Sequence, residues 1–192
     1  MGTDINTMIE VSLRDDEKYP EWVCAGSVDH LIHRNHLIFD VLGNIYNTYN
    51  VPYISHGRLS KEAVLTEEKI AFAKKLYEEY PDEYKSFQEA LKDSYESALE
   101  HDYHLSRAFI DTLLAWDYNE WSCRVPSYVT LKEMMDYDCR SALSHLSLLH
   151  FEWYVDIFEI VWTELIDFLR KTGELYGQTN PKKIRLCFFF DS

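Results

Sequence analysis

The two ends of the chain carry the stretches that decide the fold. Residues 4–13 read Asp-Ile-Asn-Thr-Met-Ile-Glu-Val-Ser-Leu, and residues 184–190 read Ile-Arg-Leu-Cys-Phe-Phe-Phe. Both stretches alternate with a period of two, which is typical of β-strands. Residues 21–28 are predicted to form a second strand, paired with the first as a hairpin. Because a lone strand is not stable, the closing stretch is expected to join this hairpin in one sheet.

Between these strands the apolar residues recur at the period of a helix. Helices are predicted over residues 35–49, 66–80, 84–98 and 105–116. A capping box of Thr130 and Glu133 begins another helix, and residues 119–127 are predicted to be a loop.

The longest predicted helix starts near Leu143 and ends at Gly173. A stripe interrupted by one carboxylate is expected to face the core: Leu146, Leu149, Trp153, Ile157, Ile160, Glu164 and Phe168. The sequence therefore predicts an α+β protein: a small antiparallel sheet covered by several helices, one of them long and central, in a single domain over residues 1–192.

Composition and charge restrict the partners. The chain has 46% hydrophobic residues and a net charge of −14, from 33 acidic and 19 basic residues. Such a chain repels nucleic acid and anionic membranes but can bind a basic protein or a small ligand. The four cysteines form no CxxC, no signal peptide opens the chain and no apolar run could span a bilayer. A soluble protein of a reducing cytoplasm is expected.

Four blocks of the sequence carry a family resemblance. Residues 1–6 read Met-Gly-Thr-Asp-Ile-Asn, residues 34–47 begin Arg-Asn and contain two further Asn, residues 127–134 read Ser-Tyr-Val-Thr-Leu-Lys-Glu-Met, and residues 188–191 read Phe-Phe-Phe-Asp. In these blocks the chain resembles a family of uncharacterised phage and prophage proteins that open Met-Gly-Cys-Asp-Ile-His. The segment from about residue 62 to about residue 118 matches none of the family's blocks and is expected to be a helical insertion.

The resemblance implies a phage protein acting in the host bacterial cytoplasm, where small phage proteins often oppose host defence. It implies no activity. Thr3 and Asn6 stand where the family has Cys and His, so any metal binding or chemistry by those two residues is absent here.

The end of the predicted sheet is one candidate site. Asp4 and Asn6 lie on the polar face of the first strand, and Asp191 ends the last. If the strands are neighbours, these side chains could meet and hold a hard cation or a ribose. The alternative is a solvated sheet face.

The second candidate is an anion site around the helix that follows Arg34. Arg34 lies at the helix N-terminus, where free N–H groups favour a phosphate, and Asn44 and Asn47 are expected on one helix face. The proposed ligand-binding set comprises Arg34, Asn35, Asn44, Asn47, Arg58, Trp121, Arg124 and Tyr128. The arginines would meet phosphate and an aromatic ring would stack on a base. The alternative is a set of helix caps and loop anchors.

A third candidate is an acidic stripe on the helix after Pro81. Its carboxylates, Glu89, Asp93, Glu96 and Glu100, are spaced at steps of four, three and four residues. Such a stripe could imitate the phosphates of DNA toward a basic groove, and the alternative is a solvated face.

Three functions are consistent with these residues. The leading hypothesis is a phage counter-defence protein that sequesters a small nucleotide-type ligand without turnover. The second is an acidic inhibitor that binds a basic host protein as a DNA mimic, and the third is a metal-dependent hydrolase using Asp4 and Asp191. No nucleophile motif, P-loop or dinucleotide fingerprint is present, so we assign no catalytic residue, cofactor or metal ligand. Homo-oligomerisation is left open.

Overall fold

The computed structural model describes residues 4–14, 20–32, 35–45, 47, 50–55, 57–118, 124–147 and 152–191. The elements are β1 (Asp4–Ser12), β2 (Trp22–Gly26), α1 (Asp29–Ile32), α2 (His36–Gly43), α3 (Lys61–Val64), α4 (Glu67–Glu79), α5 (Phe87–His101), α6 (Arg107–Tyr118), β3 (Arg124–Thr130), α7 (Leu131–Asp136), α8 (Cys139–Ala142), α9 (Ser144–Ser147), α10 (Glu152–Leu175), a 3₁₀ turn (Pro181–Lys183) and β4 (Ile184–Asp191). Among these described helices, none is both long and apolar enough to cross a bilayer.

The predicted α+β class and the pairing of the two chain ends are confirmed. Four antiparallel strands lie in the order β2-β1-β4-β3. β1 and β4 pair along their whole length, from Asp4 opposite Asp191 to Val11 opposite Ile184. The strong alternation at each end therefore becomes the centre of the sheet, where both faces of β4 are buried.

The fourth strand was not predicted, and the prediction of a loop over residues 119–127 is wrong from Arg124 onward. β3 pairs with β4, with a register shift between Arg124 and Ser127. Pro126 lies in this irregular stretch. Proline is tolerated there because β3 is an edge strand with a bulge.

One face of the sheet packs against α2 and α10. Phe188, Phe190 and Ile9 lie in this larger core. Gly43 of α2 lies where an added Cβ would overlap the ring of Phe190, and Gly173 of α10 lies where it would overlap Ile184. The prediction that Gly173 ends the long helix is wrong, because α10 continues to Leu175. Both glycines instead allow a helix to approach β4 closely.

The second face of the sheet is covered as well. Helices α5 and α6 lie on it, and their Tyr95 and Phe109 share a second core with Cys187 and Phe189 of β4. The alternative of a solvated sheet face is therefore wrong for the middle of this face. Residues 61–118 build this layer of helices, so that the sheet lies between two helical layers.

A buried ion pair joins the second helical layer to the sheet. Arg185 Nη2 lies 2.7 Å from Glu10 Oε2, and both side chains are almost fully buried. The Arg185 guanidinium also donates to the carbonyls of Tyr103 and His104, at 3.1 and 2.8 Å, and Glu10 accepts from the N–H of Ser106 at 2.8 Å. The charges on β1 and β4 thus satisfy the backbone of the turn between α5 and α6.

Several predicted helix boundaries need correction. The helix predicted over residues 35–49 ends at Gly43, because Asn44 takes a left-handed conformation with φ 58°. The helix predicted from residue 84 begins at Phe87, capped by Ser86. The capping box of Thr130 and Glu133 is confirmed.

The long helix is present, but its predicted buried stripe is wrong within α10. Leu146 is buried before α10 begins, and Leu149 lies outside the described residues. α10 begins at Glu152, after the short helices α8 and α9. The side chains that face the core are Val155, Phe158, Trp162, Leu165, Leu169, Thr172 and Gly173. Trp153 and Ile160 of the predicted stripe are 60% and 59% exposed. α10 therefore has two apolar faces, and the face that packs against the core is the one that was not predicted.

Candidate functional site

The candidate cluster at the sheet end comes together as the strand pattern predicts. Asp4 lies opposite Asp191, and the Asp4 N–H donates to Asp191 Oδ1 at 3.0 Å. The Asn6 amide donates to Asp191 Oδ2 at 3.3 Å. The Asp191 carboxylate is thus held by two donors, and Asn6 extends from this cluster into a neighbouring cleft.

This cleft lies along the edge of β1, beyond the end of β2, and we call it the strand-edge cleft. Its volume is about 400 Å³. Its lining consists of Asn6, Thr7, Met8, Cys24, Gly26, Ser27, Asp29, Phe109, Thr112 and Phe189. The apolar members come from the sheet and from α6, whereas the polar members, apart from Thr112 of α6, come from the strand edge and the segment after β2.

The polar rim forms because β2 pairs only with the C-terminal half of β1, from Ile9 onward. The last residue of β2, Gly26, pairs with Ile9, so the remaining edge of β1 has no strand beside it in the described residues. The Asp29 carboxylate takes this place: its Oδ1 accepts from the Thr7 N–H at 2.8 Å and from the Thr7 hydroxyl. Val28 N–H in turn donates to Thr7 Oγ1 at 3.0 Å. These bonds orient Asp29 at the start of α1.

The rim keeps hydrogen-bonding capacity for a ligand. The side-chain hydrogen bonds of the described residues use Asp29 Oδ1 and Asn6 Nδ2, and they leave Asp29 Oδ2 and the side-chain Oδ1 of Asn6 to accept further bonds. Cys24 is an exposed thiol beside them. The cleft thus offers acceptors, an amide and apolar walls, and none of its described lining residues is Arg, Lys or His.

The asparagines of the predicted anion site are engaged in holding the ends of α2. Asn35 caps the helix by accepting from the Ile38 N–H at 3.2 Å, and Asn44 is its C-cap. Asn47 bonds to the side chain of Asn44 and to both backbone groups of Val51. Asn35 and Asn44 lie at opposite helix ends, so the structure does not bring them together. Arg34 lies outside the described residues.

Arg58 and Tyr128 are brought together on the β3 side of the sheet. The Arg58 guanidinium lies 5.1 Å from the Tyr128 ring centroid and donates to Glu133 at 2.7 Å. Burial by itself would raise the pKa of Glu133, but hydrogen bonds from Arg58 and Thr130 outweigh it and hold this pKa below its ordinary value. Arg58 is therefore committed to a carboxylate. Trp121 lies outside the described residues, and only the backbone of Arg124 is described, in β3.

The acidic stripe of α5 is partly neutralised. Glu89 accepts from the Lys85 N–H at 2.6 Å, and Glu96 pairs with Arg107 at 2.6 Å. Asp93 lines a second cavity of about 360 Å³ between α4 and α5, beside a Lys69–Asp102 ion pair of 2.6 Å. The stripe therefore presents fewer unpaired carboxylates than its spacing predicts.

The structure adds no group of metal ligands to the hydrolase hypothesis. Within the described ranges, no three His, Cys, Asp or Glu side chains lie close enough to share a metal ion. In the second cavity, Ser97 and His101 are four residues apart on α5 but form no hydrogen bond with each other.

Sequence reasoning found Asn6 and missed most of the cleft. Thr7, Asp29 and Phe109 come from β1, α1 and α6, and the first and last of them are 102 positions apart in the sequence. No local motif marks them. The one signal available was the short polar segment after β2, which contains an acidic residue at a helix start.

Comparison with known protein families, curated proteins and solved structures gives no match for this chain. The phage-family resemblance and the functions attached to it therefore stay predictions.

Proposed function

We propose that this chain is a non-catalytic binding protein that holds the base or nucleoside part of a small nucleotide-type ligand in the strand-edge cleft. The observation that carries the proposal is the cleft itself, about 400 Å³ in volume with apolar walls and a few polar groups. Pockets for small ligands have this size and this composition.

The chemistry of the rim favours an uncharged ligand. Asp29 can accept hydrogen bonds from a base amino group, and the Asn6 amide can both donate and accept. Met8, Phe109 and Phe189 supply apolar contact for a planar ring. Because no described residue of the lining is a cation and the Asp191 carboxylate is adjacent, a phosphate in the cleft would be repelled. A nucleoside should therefore bind more tightly than its monophosphate.

The counter-defence role rests on the family resemblance alone. In that role the protein would remove a defence-related nucleotide-type molecule by holding it, and the molecule would be recovered intact. The partial neutralisation of the α5 stripe makes this proposal stronger than the DNA-mimic alternative.

Thermal-shift and equilibrium-dialysis measurements with nucleosides and their 5′-monophosphates test the proposal. A bound nucleoside at a hundred times its Kd should stabilise the fold by about 2.7 kcal/mol and so raise Tm. The matching monophosphate should bind about tenfold or more weakly, and heating should release the ligand unchanged. Asp29→Asn keeps an acceptor for Thr7 but removes the negative charge. This variant should therefore reduce the difference in affinity between the nucleoside and its monophosphate. Glu68→Gln, a distant exposed carboxylate on α4, is the matched control.

Alkylation of Cys24 locates the binding site. Cys24 is exposed in the cleft, whereas burial raises the pKa of Cys139 to about 11 and the pKa of the buried Cys187 well above its ordinary value. In a Cys123→Ser background, N-ethylmaleimide should modify Cys24 first, because the thiolate is the reactive form. A bound nucleoside should slow this reaction, and prior alkylation should abolish binding. If no compound raises Tm or protects Cys24, the proposal is wrong.

A further inference from the structure

The outward face of α10 carries an apolar stripe that the core does not use. We call it the outer stripe: Trp153, Ile157, Ile160, Glu164 and Phe168. Its members follow at steps of four, three, four and four residues, and they span about 22 Å along the helix. The apolar members are 37% to 60% exposed in the described structure. Contiguous exposed apolar surface of this kind marks an interaction site.

The outer stripe is not needed to hold the helix in place. Phe158, Trp162 and Leu165 on the opposite face are buried in the larger core, and Trp162 Nε1 also donates to the Met134 carbonyl at 3.3 Å. At the edge of the stripe, the rings of His30 and Phe168 are in contact, 5.9 Å between centroids, which joins the stripe to α1.

The charges around the outer stripe indicate what covers it. Glu164 lies within the stripe, and Glu152 and Asp156 border its N-terminal half. All three are exposed. Glu152 and Glu164 form no ion pair with a described residue, whereas Asp156 lies within electrostatic reach of Arg140, whose guanidinium pairs with Glu159 at 2.8 Å. Arg170 and Lys171 lie beyond the last member of the stripe. The apolar surface thus has an acidic border over its first three turns.

We propose that the outer stripe is the docking surface for an amphipathic helix that carries Lys or Arg beside its apolar face. Trp153 and Ile160 would pack against the apolar face, as in other helix-to-helix recognition. Glu164 and Asp156 would meet the basic side chains. A second copy of this chain fits less well, because it would bring another acidic border and another net charge of −14 to the same surface. This surface lies on α10, across the sheet from α6 and its wall of the strand-edge cleft, and it does not depend on the nucleoside proposal.

Two fluorescein-labelled synthetic peptides of about 21 residues, long enough to span the stripe as a helix, test the docking surface. Both have the same leucine face, one flanked by Lys and the other by Glu. Fluorescence anisotropy should show the Lys peptide binding about tenfold or more tightly. Trp153→Ser with Ile160→Ser should weaken it about tenfold or more, since an exposed aromatic anchor is lost. Asp156→Lys with Glu164→Lys should reverse the preference between the peptides.

The matched control replaces exposed apolar residues on another helix. Ile70→Ser with Phe72→Ser on α4 should change Lys-peptide affinity less than about twofold, because these residues lie outside the stripe. Circular dichroism should show all variants folded. Equal binding of both peptides, or equal losses in the stripe and control variants, would overturn the proposal. So would a dimer in analytical ultracentrifugation that Trp153→Ser with Ile160→Ser dissociates.

Discussion

Single residues in this protein take their properties from burial. Asp40 of α2 is 4% exposed, and its carboxylate accepts from the Asn47 N–H at 2.9 Å. Burial raises the pKa of Asp40 to about 6, against smaller lowering effects of Asn47 and His36. A carboxyl that ionises near neutral pH inside the core makes stability depend on pH.

Ionisation of the buried Asp40 carboxyl should lower the free energy of unfolding as pH rises. Its pKa is higher in the folded state than its ordinary value of 3.8, so the folded state binds the proton more tightly. Its contribution to the free energy of unfolding is greatest below about pH 4 and is lost between about pH 4 and pH 7, by up to about 3 kcal/mol. Asp40→Asn keeps an acceptor for Asn47 and cannot ionise. Urea denaturation from pH 4 to pH 8 should show the variant gaining stability relative to the wild type as pH rises. Parallel curves would contradict this.

Helix α2 can pack closely against strand β4 because a glycine lies at the point of contact. The C-terminal residue of α2, Gly43, leaves room for the ring of Phe190 on β4, which also contacts Phe39 edge-on at 5.2 Å between centroids. A methyl group at this position has no space unless the ring moves. The position of α2 on the sheet is therefore sensitive to one side chain.

Gly43→Ala should destabilise the protein by about 1–3 kcal/mol, because an added methyl group overpacks the contact with Phe190. Helix propensity alone would predict a gain, since alanine favours a helix over glycine by about 1 kcal/mol. Chemical denaturation shows whether the variant loses stability, as overpacking predicts, or gains it, as helix propensity predicts. In a Phe190→Leu background, which removes the ring, the cost of Gly43→Ala should shrink. An unchanged cost there would show that the contact is not its cause.

At the scale of the whole molecule, the sheet is buried between two helical layers that attach differently. The α2 and α10 layer packs on an apolar sheet face that includes Ile9 and Phe188. The α5 and α6 layer adds the Glu10–Arg185 pair, whose guanidinium also lies 3.8 Å from the centroid of the Trp22 ring. Buried charges of this kind are costly unless every donor and acceptor is used.

Arg185→Met should destabilise the protein by about 3–5 kcal/mol, because Glu10 would be left as an unpaired buried charge. The carbonyls of Tyr103 and His104 would also lose their donor. Hydrogen exchange should quicken first around residues 103–106, and denaturation should measure the loss. Arg185→Lys keeps the charge without the planar fork and should cost less. Glu10→Leu combined with Arg185→Met should cost less than the two single changes added together. Additive costs would mean that the pair does not act as a unit.

Strand periodicity was enough to predict the sheet centre, whereas local signals failed at its edge. Alternation over residues 4–13 and 184–190 is readable because one face of both strands is apolar and packs on the larger core, whereas the other face carries polar residues such as Glu10 and Arg185. β3 gave no such signal, since Pro126 and a bulge are permitted on an edge strand. Caps such as Asn35 and Thr130 were predictable because they act within three residues of sequence.

Which apolar face of a helix meets the core was decided only by the tertiary structure. α10 repeats apolar residues at helical spacing on two faces, and periodicity alone cannot rank Trp153 against Trp162. Part of the candidate site could likewise be predicted from sequence, and part depended on the tertiary structure. The sequence by itself predicted that Asp4, Asn6 and Asp191 could meet if the first and last strands were neighbours, and the structure supplied that pairing and its register. The cleft beside them depends on where α1 and α6 pack, and packing joins residues that no local pattern relates.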